Sequence, residues 1–410
     1  MKKILLIVLD GLGDEPILGL GNKTPLEAAK TPNLDWLAKN GMCGLVRPVF
    51  TSAIPTSEQT HFSLFGYSPK KYRIRRGMFT AMGAGMKMKP GDVALRGNFG
   101  TVDKKLNMID RRAGRISKTR PLIDALNGMV IDDVKFLIKC AGGHRVGIIL
   151  RGKNLSSQIS DGDPHYAKLG KKARKVVPLD STKKTKRTAD VLNKFLDESW
   201  QILKEHPLNK KREKKGLLPA NYILTRGASF LQRTPSFKEK YNLKACCIAG
   251  KLLYKQIAQC LGMDLIKVKG ANGLPSTNLK GKVQAAKRAL KKPALHRTCS
   301  GAGYNFVFLH IKAADSLAED GNFLGKKEFI ESIDKSLKPI LGLKNTLIVV
   351  TADHSTCCGL KRHCKEPIPL LIYGADKDGV VIFSEKACRK GRLGEINQLN
   401  LMPNVLRYAL

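Results

Sequence analysis

Apolar positions fall into two kinds of pattern along the chain. Uninterrupted runs occur at Ile4-Leu5-Leu6-Ile7-Val8-Leu9, Tyr304-Asn305-Phe306-Val307-Phe308-Leu309 and Thr346-Leu347-Ile348-Val349-Val350. Runs of this length with few polar residues read as strands buried on both faces, as in a parallel sheet. Elsewhere the spacing is helical: Ala189, Val191, Leu192, Phe195 and Leu196 recur on one face and predict a long helix from Lys186 to Glu205. Thr24-Pro25 and Thr31-Pro32 each set an N-cap residue before proline, a helix-opening signature. Strand-like and helix-like segments alternate, so the predicted fold class is α/β, a doubly wound, mostly parallel sheet.

The pattern changes in the middle. Glycine turns, short β-like runs such as Val146-Gly147-Ile148-Ile149-Leu150 and basic stretches dominate from about residue 85 to 235, and doubly wound character returns after Ala245. The simplest account is a catalytic domain built from residues 1–84 and 236–410, interrupted by a smaller inserted α/β domain at 85–235. A chain of 410 residues is long enough for two domains. The stretch from Lys291 to Gly301 reads as a surface loop.

Composition narrows the class. No stretch approaches the roughly 20 apolar residues that span a bilayer, and the apolar run at the N-terminus meets Asp10 too soon for a signal peptide. Ten cysteines without a CxxC pair, in a chain lacking an export signal, read as reduced thiols in a cytoplasmic protein. The formal charge of +39 is the unusual number. Basic runs such as Lys183-Lys184-Thr185-Lys186-Arg187 have no interleaved aromatics on which bases could stack. A solvated basic exterior is therefore the simpler reading, and it would still draw in a small polyanion.

The candidate chemistry sits where apolar runs end. Asp10 follows the first strand; Asp353 and His354 follow the Thr346–Val350 run; Asp315 and Glu319 lie four apart after the run ending at Leu309; His363 comes next. In an open α/β sheet the carboxyl ends of the strands share one edge, where ligands bind. Carboxylates and imidazoles gathered there suit two divalent cations. Ser57, after a turn signal and before a helix, is the candidate nucleophile, since a helix N-terminus favours an incoming phosphate. Taken alone, Ser57 reads more readily as an N-cap; the conjunction of strand ends is what raises the site.

Several motifs together resemble the archaeal-type, 2,3-bisphosphoglycerate-independent phosphoglycerate mutases of the alkaline phosphatase superfamily. They include Val8-Leu9-Asp10-Gly11, Lys23-Thr24-Pro25-Leu26-Glu27-Ala28-Ala29, Pro55-Thr56-Ser57, Phe65-Gly66-Tyr67, Asp110-Arg111-Arg112-Ala113-Gly114-Arg115, Asp161-Gly162-Asp163-Pro164-His165, His310-Ile311-Lys312 and Thr351-Ala352-Asp353-His354-Ser355-Thr356. The resemblance implies an alkaline-phosphatase-like fold and a double displacement between 3-phosphoglycerate and 2-phosphoglycerate in glycolysis and gluconeogenesis. Ser57 would carry the phosphoryl group, with two Mn or Mg ions and no 2,3-bisphosphoglycerate. By position, Asp10, Ser57, Asp353 and His354 would hold one ion, and Asp315, residue 319 and His363 the other. Lys255 matches a lysine near the transferred phosphate, and Arg111, Arg112, Arg115 and His165 match substrate-facing residues. The chain departs from the family at Glu319, where a histidine is usual, and at Thr80, where a glutamate is usual. Two other readings remain open: a related phosphotransferase or phosphatase of the homoserine kinase-like branch, and a basic nucleic-acid-binding protein on a decayed enzyme fold.

Overall fold

The computed structural model describes residues 1–49, 56–164, 172–231, 233–291 and 303–410. It divides into two compact units, Met1–Tyr72 with Thr234–Leu410, and Arg73–Arg233. The inserted unit thus begins at Arg73, earlier than the expected residue 85. The Arg76–Gly83 helix is what moves the boundary, because it packs on the inserted unit's own sheet. Gly77 lets it do so: a Cβ there would lie 2.1 Å from the Ala94 carbonyl oxygen. Met78 N–H also donates to Ser229 Oγ at 2.7 Å.

The first unit is built on an eight-stranded sheet. Its order is Asp264–Leu265, Ala245–Ile248, Phe306–Ile311, Lys3–Leu9, Thr346–Thr351, Ile368–Tyr373, Gly41–Arg47 and Glu395–Asn397. The first five run parallel, and Ile368–Tyr373 runs antiparallel to both of its neighbours. The strands formed by the three apolar runs lie at the centre and are wholly buried except for Lys3, as strands covered on both faces must be. Their register sets Val8 level with both His310 and Thr351. Asp10, Lys312 and Asp353 therefore leave the sheet at one edge.

The helix starts read from sequence are present. Thr24 caps Pro25–Ala28 in a full capping box with Glu27, and Thr31 precedes Pro32–Lys39 without a side-chain cap. The long basic helix runs Lys183–Glu205 and buries Ala189, Val191, Leu192, Phe195 and Leu196. The Arg73–Arg233 unit is an antiparallel sheet in the order Met108–Asp110, Val93–Val102, Arg145–Arg151, Val134–Cys140 and Val130–Ile131, with Tyr222–Phe230 also paired to Val93–Val102. The long helix covers one face, stacking Phe195 on Phe136 at 4.0 Å. The expected surface loop from 291 onward lies, beyond Lys291, outside the described residues. No helix among the described residues is long and apolar enough to cross a membrane.

One expectation about cysteines is overturned. Cys357 and Cys364 form a disulfide. They sit diagonally across a short antiparallel hairpin, Ser355–Cys357 against Arg362–Cys364, with Cα atoms 5.8 Å apart, inside the range a disulfide spans.

Candidate active site

The edge where the three central strands end holds two sets of potential metal ligands. Asp10, Asp353 and His354 form one; Asp315, His354 and His363 form the other, with ligand atoms of each set within 4.8 Å of one another. Gly11 makes this approach possible. It adopts φ of +70°, and a Cβ there would come 2.6 Å from Asp315 Cβ. Asp10, Asp353 and His354 are 0% exposed and Asp315 is 1% exposed. Three carboxylates packed this tightly out of water repel one another and need cations.

The local charge pattern shows how the chain meets part of that need. Lys312 Nζ reaches Asp10 Oδ1 at 3.2 Å and also contacts Asp315 Oδ2. Burial works against the charge on Asp10, but Lys312 and His310 outweigh it and hold this carboxyl well below its usual range. Burial, and then the Asp10 charge, push Asp353 well above it. One ammonium is thus insufficient for all three acids. Asp353 Oδ1 and His354 Nε2 are also buried without a hydrogen bond among the described residues. Burial, and then His363, lower the His354 pKa to about 3, so its imidazole is neutral and able to donate a lone pair at neutral pH. Buried oxygen and imidazole donors with unsatisfied atoms fit divalent cations.

Ser57 opens the Ser57–Leu64 helix as its first helical residue, and the capping role falls to Thr56, which forms a capping box with Gln59. The serine hydroxyl is therefore not consumed as the cap. Its carbonyl accepts bonds from Thr60 Oγ1 at 3.0 Å and His61 Nδ1 at 2.7 Å. Both of those atoms lie 3.3 Å from Asp353 Oδ2. The first turn of this helix is thereby fastened beside the aspartate-histidine doublet.

Other expected residues are placed less simply. Glu319 ends the Ala313–Glu319 helix, one turn beyond Asp315, and is in neither ligand set. Desolvation, then the Asp315 charge, raises its pKa. His354 stands beside Asp315 and His363 instead, its ring stacked on that of His363 at 3.6 Å. Lys255 lies half-buried on the Leu252–Cys260 helix and belongs to neither set. In the other unit Arg111 grips Asp163 in a bidentate pair, with Nη2 2.7 Å from Oδ1 and 2.9 Å from Oδ2. Arg112 and Arg115 are exposed. His165 lies outside the described residues.

Tyr254 and several arginines carry no signal in the sequence, and His310 and Lys312 stand there only as part of a motif, with no role of their own. His310 Nε2 lies 3.1 Å from Asp10 Oδ2, and the His310 ring stacks on Tyr254 at 3.6 Å. Tyr254 hydroxyl donates to the same Asp10 oxygen. His310 and Lys312 end a buried strand as Asp10 does, so the strand-end argument extends to them. In the inserted unit, Arg96 and Arg226 are direct cross-strand partners. Desolvation lowers the Arg145 pKa, with repulsion from Arg76, Arg112 and Arg226 adding to it. Like charges opposed on a sheet are destabilising and suit a face that receives an anion. Nothing in the sequence pairs position 96 with position 226.

Comparison with known proteins identifies the family. The family described as 2,3-bisphosphoglycerate-independent phosphoglycerate mutase matches residues 38–209. A 2,3-bisphosphoglycerate-independent phosphoglycerate mutase 1 of Methanocaldococcus jannaschii is 41% identical over 98% of this chain and 96% of its own length. Its counterpart in Archaeoglobus fulgidus is 42% identical over 97% and 96%. Among solved structures, a Pyrococcus horikoshii protein superposes with a TM-score of 0.81 at 31% identity, covering 100% of this chain and 97% of that one. The cofactor-independent phosphoglycerate mutase of Thermoplasma acidophilum gives 0.70 at 36% identity, with both chains covered in full. With near-complete coverage at this identity, the chain belongs to the 2,3-bisphosphoglycerate-independent phosphoglycerate mutase family.

Proposed function

We propose that this enzyme interconverts 3-phosphoglycerate and 2-phosphoglycerate, a step of glycolysis and gluconeogenesis, through a phosphoserine at Ser57. The observation that carries the reading is the fastening of the Ser57 turn to Asp353 beside two overlapping sets of buried ligands. Asp10, Asp353 and His354, with Ser57, would hold one divalent ion; Asp315 and His363, with Glu319, would hold the other. Mn or Mg suits these donors, and when bound would lower the pKa of the serine hydroxyl and neutralise charge on the phosphoryl oxygens.

The chain's own residues supply the rest. Ser57 Oγ attacks the phosphorus of 3-phosphoglycerate, the bond to the 3-oxygen breaks, and glycerate is retained. Its 2-hydroxyl then attacks the phosphoserine, frees Ser57 and leaves 2-phosphoglycerate. Lys312 and Lys255 place positive charge for the transferring group, as a loose phosphoryl transition state requires. His310 and Tyr254 fix the orientation of Asp10 through the contacts they make to its Oδ2. The arginine face of the inserted unit, Arg76, Arg96, Arg112, Arg145 and Arg226, is suited to the carboxylate and phosphate of a phosphoglycerate, both of which arginine binds bidentately. This reading places the enzyme in the cytoplasm with its glycolytic substrates.

The test is a coupled assay that consumes 2-phosphoglycerate, run across metals on wild type and Ser57→Ala. The wild type should turn over with Mn or Mg, and Ser57→Ala should lose at least about a thousandfold, the scale at which losing a nucleophile is felt. Substantial mutase activity in the variant would remove the phosphoserine route.

A further inference from the structure

The Cys357–Cys364 disulfide closes the hairpin that carries His363. Its two strands, Ser355–Cys357 and Arg362–Cys364, have three residues each, and Thr356 pairs directly with His363. A two-stranded ribbon of this size has little stability of its own. Its turn is exposed at residues 359–361. Yet the register decides the chemistry. Thr356 Oγ1 donates to Asp315 Oδ1 at 2.7 Å, and His363 Nε2 lies 3.4 Å from the same oxygen. A slip of one residue would turn His363 to the opposite face. The other end is already anchored, since Cys358 N–H donates to Asp14 Oδ1 at 3.0 Å and Asp14 is paired with buried Lys326. The returning strand is held by its pairing with Ser355–Cys357, by Ser355 Oγ donating to the Glu366 carbonyl at 2.9 Å, and by the cross-link, which closes the turn end of the ribbon.

We propose that Cys357 and Cys364 are positioning residues for the second ion, and that thiol–disulfide exchange at this pair sets how tightly the Asp315–His363 side of the site binds its cation. The inference rests on the two-ion reading above. The step is a two-electron exchange. A thiolate of an external dithiol attacks one sulfur of the pair, the S–S bond breaks, and the other cysteine leaves as thiolate and takes a proton. The second thiol of the dithiol then resolves the mixed disulfide, so the protein gains two protons and two electrons and the reductant becomes a disulfide. A low-molecular-weight disulfide drives the reverse. Cys364 is the more exposed of the pair, at 7% against 0% for Cys357, and is the sulfur first reached. Reduction frees the hairpin to fray, and His363 leaves Asp315; Asp10, Asp353 and His354 lie outside the loop and keep the first ion.

The experiment titrates full-length protein with Mn2+, following bound ion by electron paramagnetic resonance and by calorimetry. Three forms are compared: oxidised with glutathione disulfide, reduced with a phosphine, and Cys357→Ser/Cys364→Ser. Thiols are counted under denaturing conditions, and Cys140→Ser, at an exposed thiol in the other unit, is the control. The oxidised form should show two fewer free thiols than the ten cysteines present. It should bind two ions, and the reduced and doubly substituted forms should bind the second at least about tenfold more weakly, the scale of losing a partner that orients a ligand, with the first unchanged. Reduced wild type keeps the test decisive where the double variant folds poorly. Equal second-ion affinity in both redox forms, or ten thiols remaining after oxidation, overturns the proposal. Failure of every form to bind any Mn2+ would instead overturn the two-ion reading on which it rests.

Discussion

Glu319 and Glu385 show how a single carboxyl can be asked for different things. Glu319 stands one helical turn from Asp315, close enough for that charge to raise its pKa, yet its carboxylate is in neither ligand set. Glu319→His should keep or raise mutase activity and tighten the second Mn2+ ion in a calorimetric titration, because an imidazole adds a donor without adding charge to a crowded acidic site. Unchanged ion affinity would place residue 319 outside the ion's coordination. Glu385 is structural: its two oxygens accept Thr24 Oγ1 at 2.7 Å and Asp14 N–H at 3.3 Å. Burial raises its pKa from 4.5 to about 7 despite those bonds. A raised carboxyl pKa means the folded state favours the protonated form. Its contribution to stability is therefore complete below pH 4.5 and is lost as pH rises toward 7. Denaturant titrations of wild type and Glu385→Gln should diverge across that window, by about 1–2 kcal/mol after allowing for partial exposure. Parallel pH profiles would mean that Glu385 titrates normally.

At the scale of elements, strand ends and register matter more than any one side chain. The parallel pairing of Phe306–Ile311, Lys3–Leu9 and Thr346–Thr351 brings candidate ligands from opposite termini to one edge. The inserted unit brings like charges together across its sheet. Arg96 and Arg226 face each other across neighbouring strands, and Arg145 is repelled by Arg226 and by two further arginines, Arg76 and Arg112. Arg96→Gln should raise the KM for 3-phosphoglycerate at least about tenfold while leaving the ligand-free protein no less stable, since relieving an opposed like-charge pair is worth roughly 0.2–1 kcal/mol. Steady-state kinetics together with thermal melts would check this. A marked fall in melting temperature with KM unchanged would assign Arg96 a packing role.

For the whole molecule the dominant fact is a formal charge of +39. A field of that sign draws a phosphoglycerate toward the protein and is screened over about 10 Å at 0.1 M salt. The kcat/KM for 3-phosphoglycerate should fall several-fold between about 20 mM and about 500 mM salt with kcat nearly constant. A salt-independent kcat/KM would mean that the charge serves something other than substrate capture. The sequence by itself determined the central strands, the helix starts at Pro25 and Pro32, the long basic helix and the strand-end positions of the candidate ligands Asp10, Asp353 and His354. Each is written in local periodicity, capping chemistry or position after an apolar run. Tertiary structure decided what depends on pairing between distant segments. It drew the Arg76–Gly83 helix into the inserted unit, passed the cap at residue 57 to Thr56, joined Cys357 to Cys364, set His310 and Tyr254 against Asp10, and opposed Arg96 to Arg226. Hydrophobic spacing reports which face of an element is buried; which partner it meets there depends on sheet order and register, which no local pattern encodes.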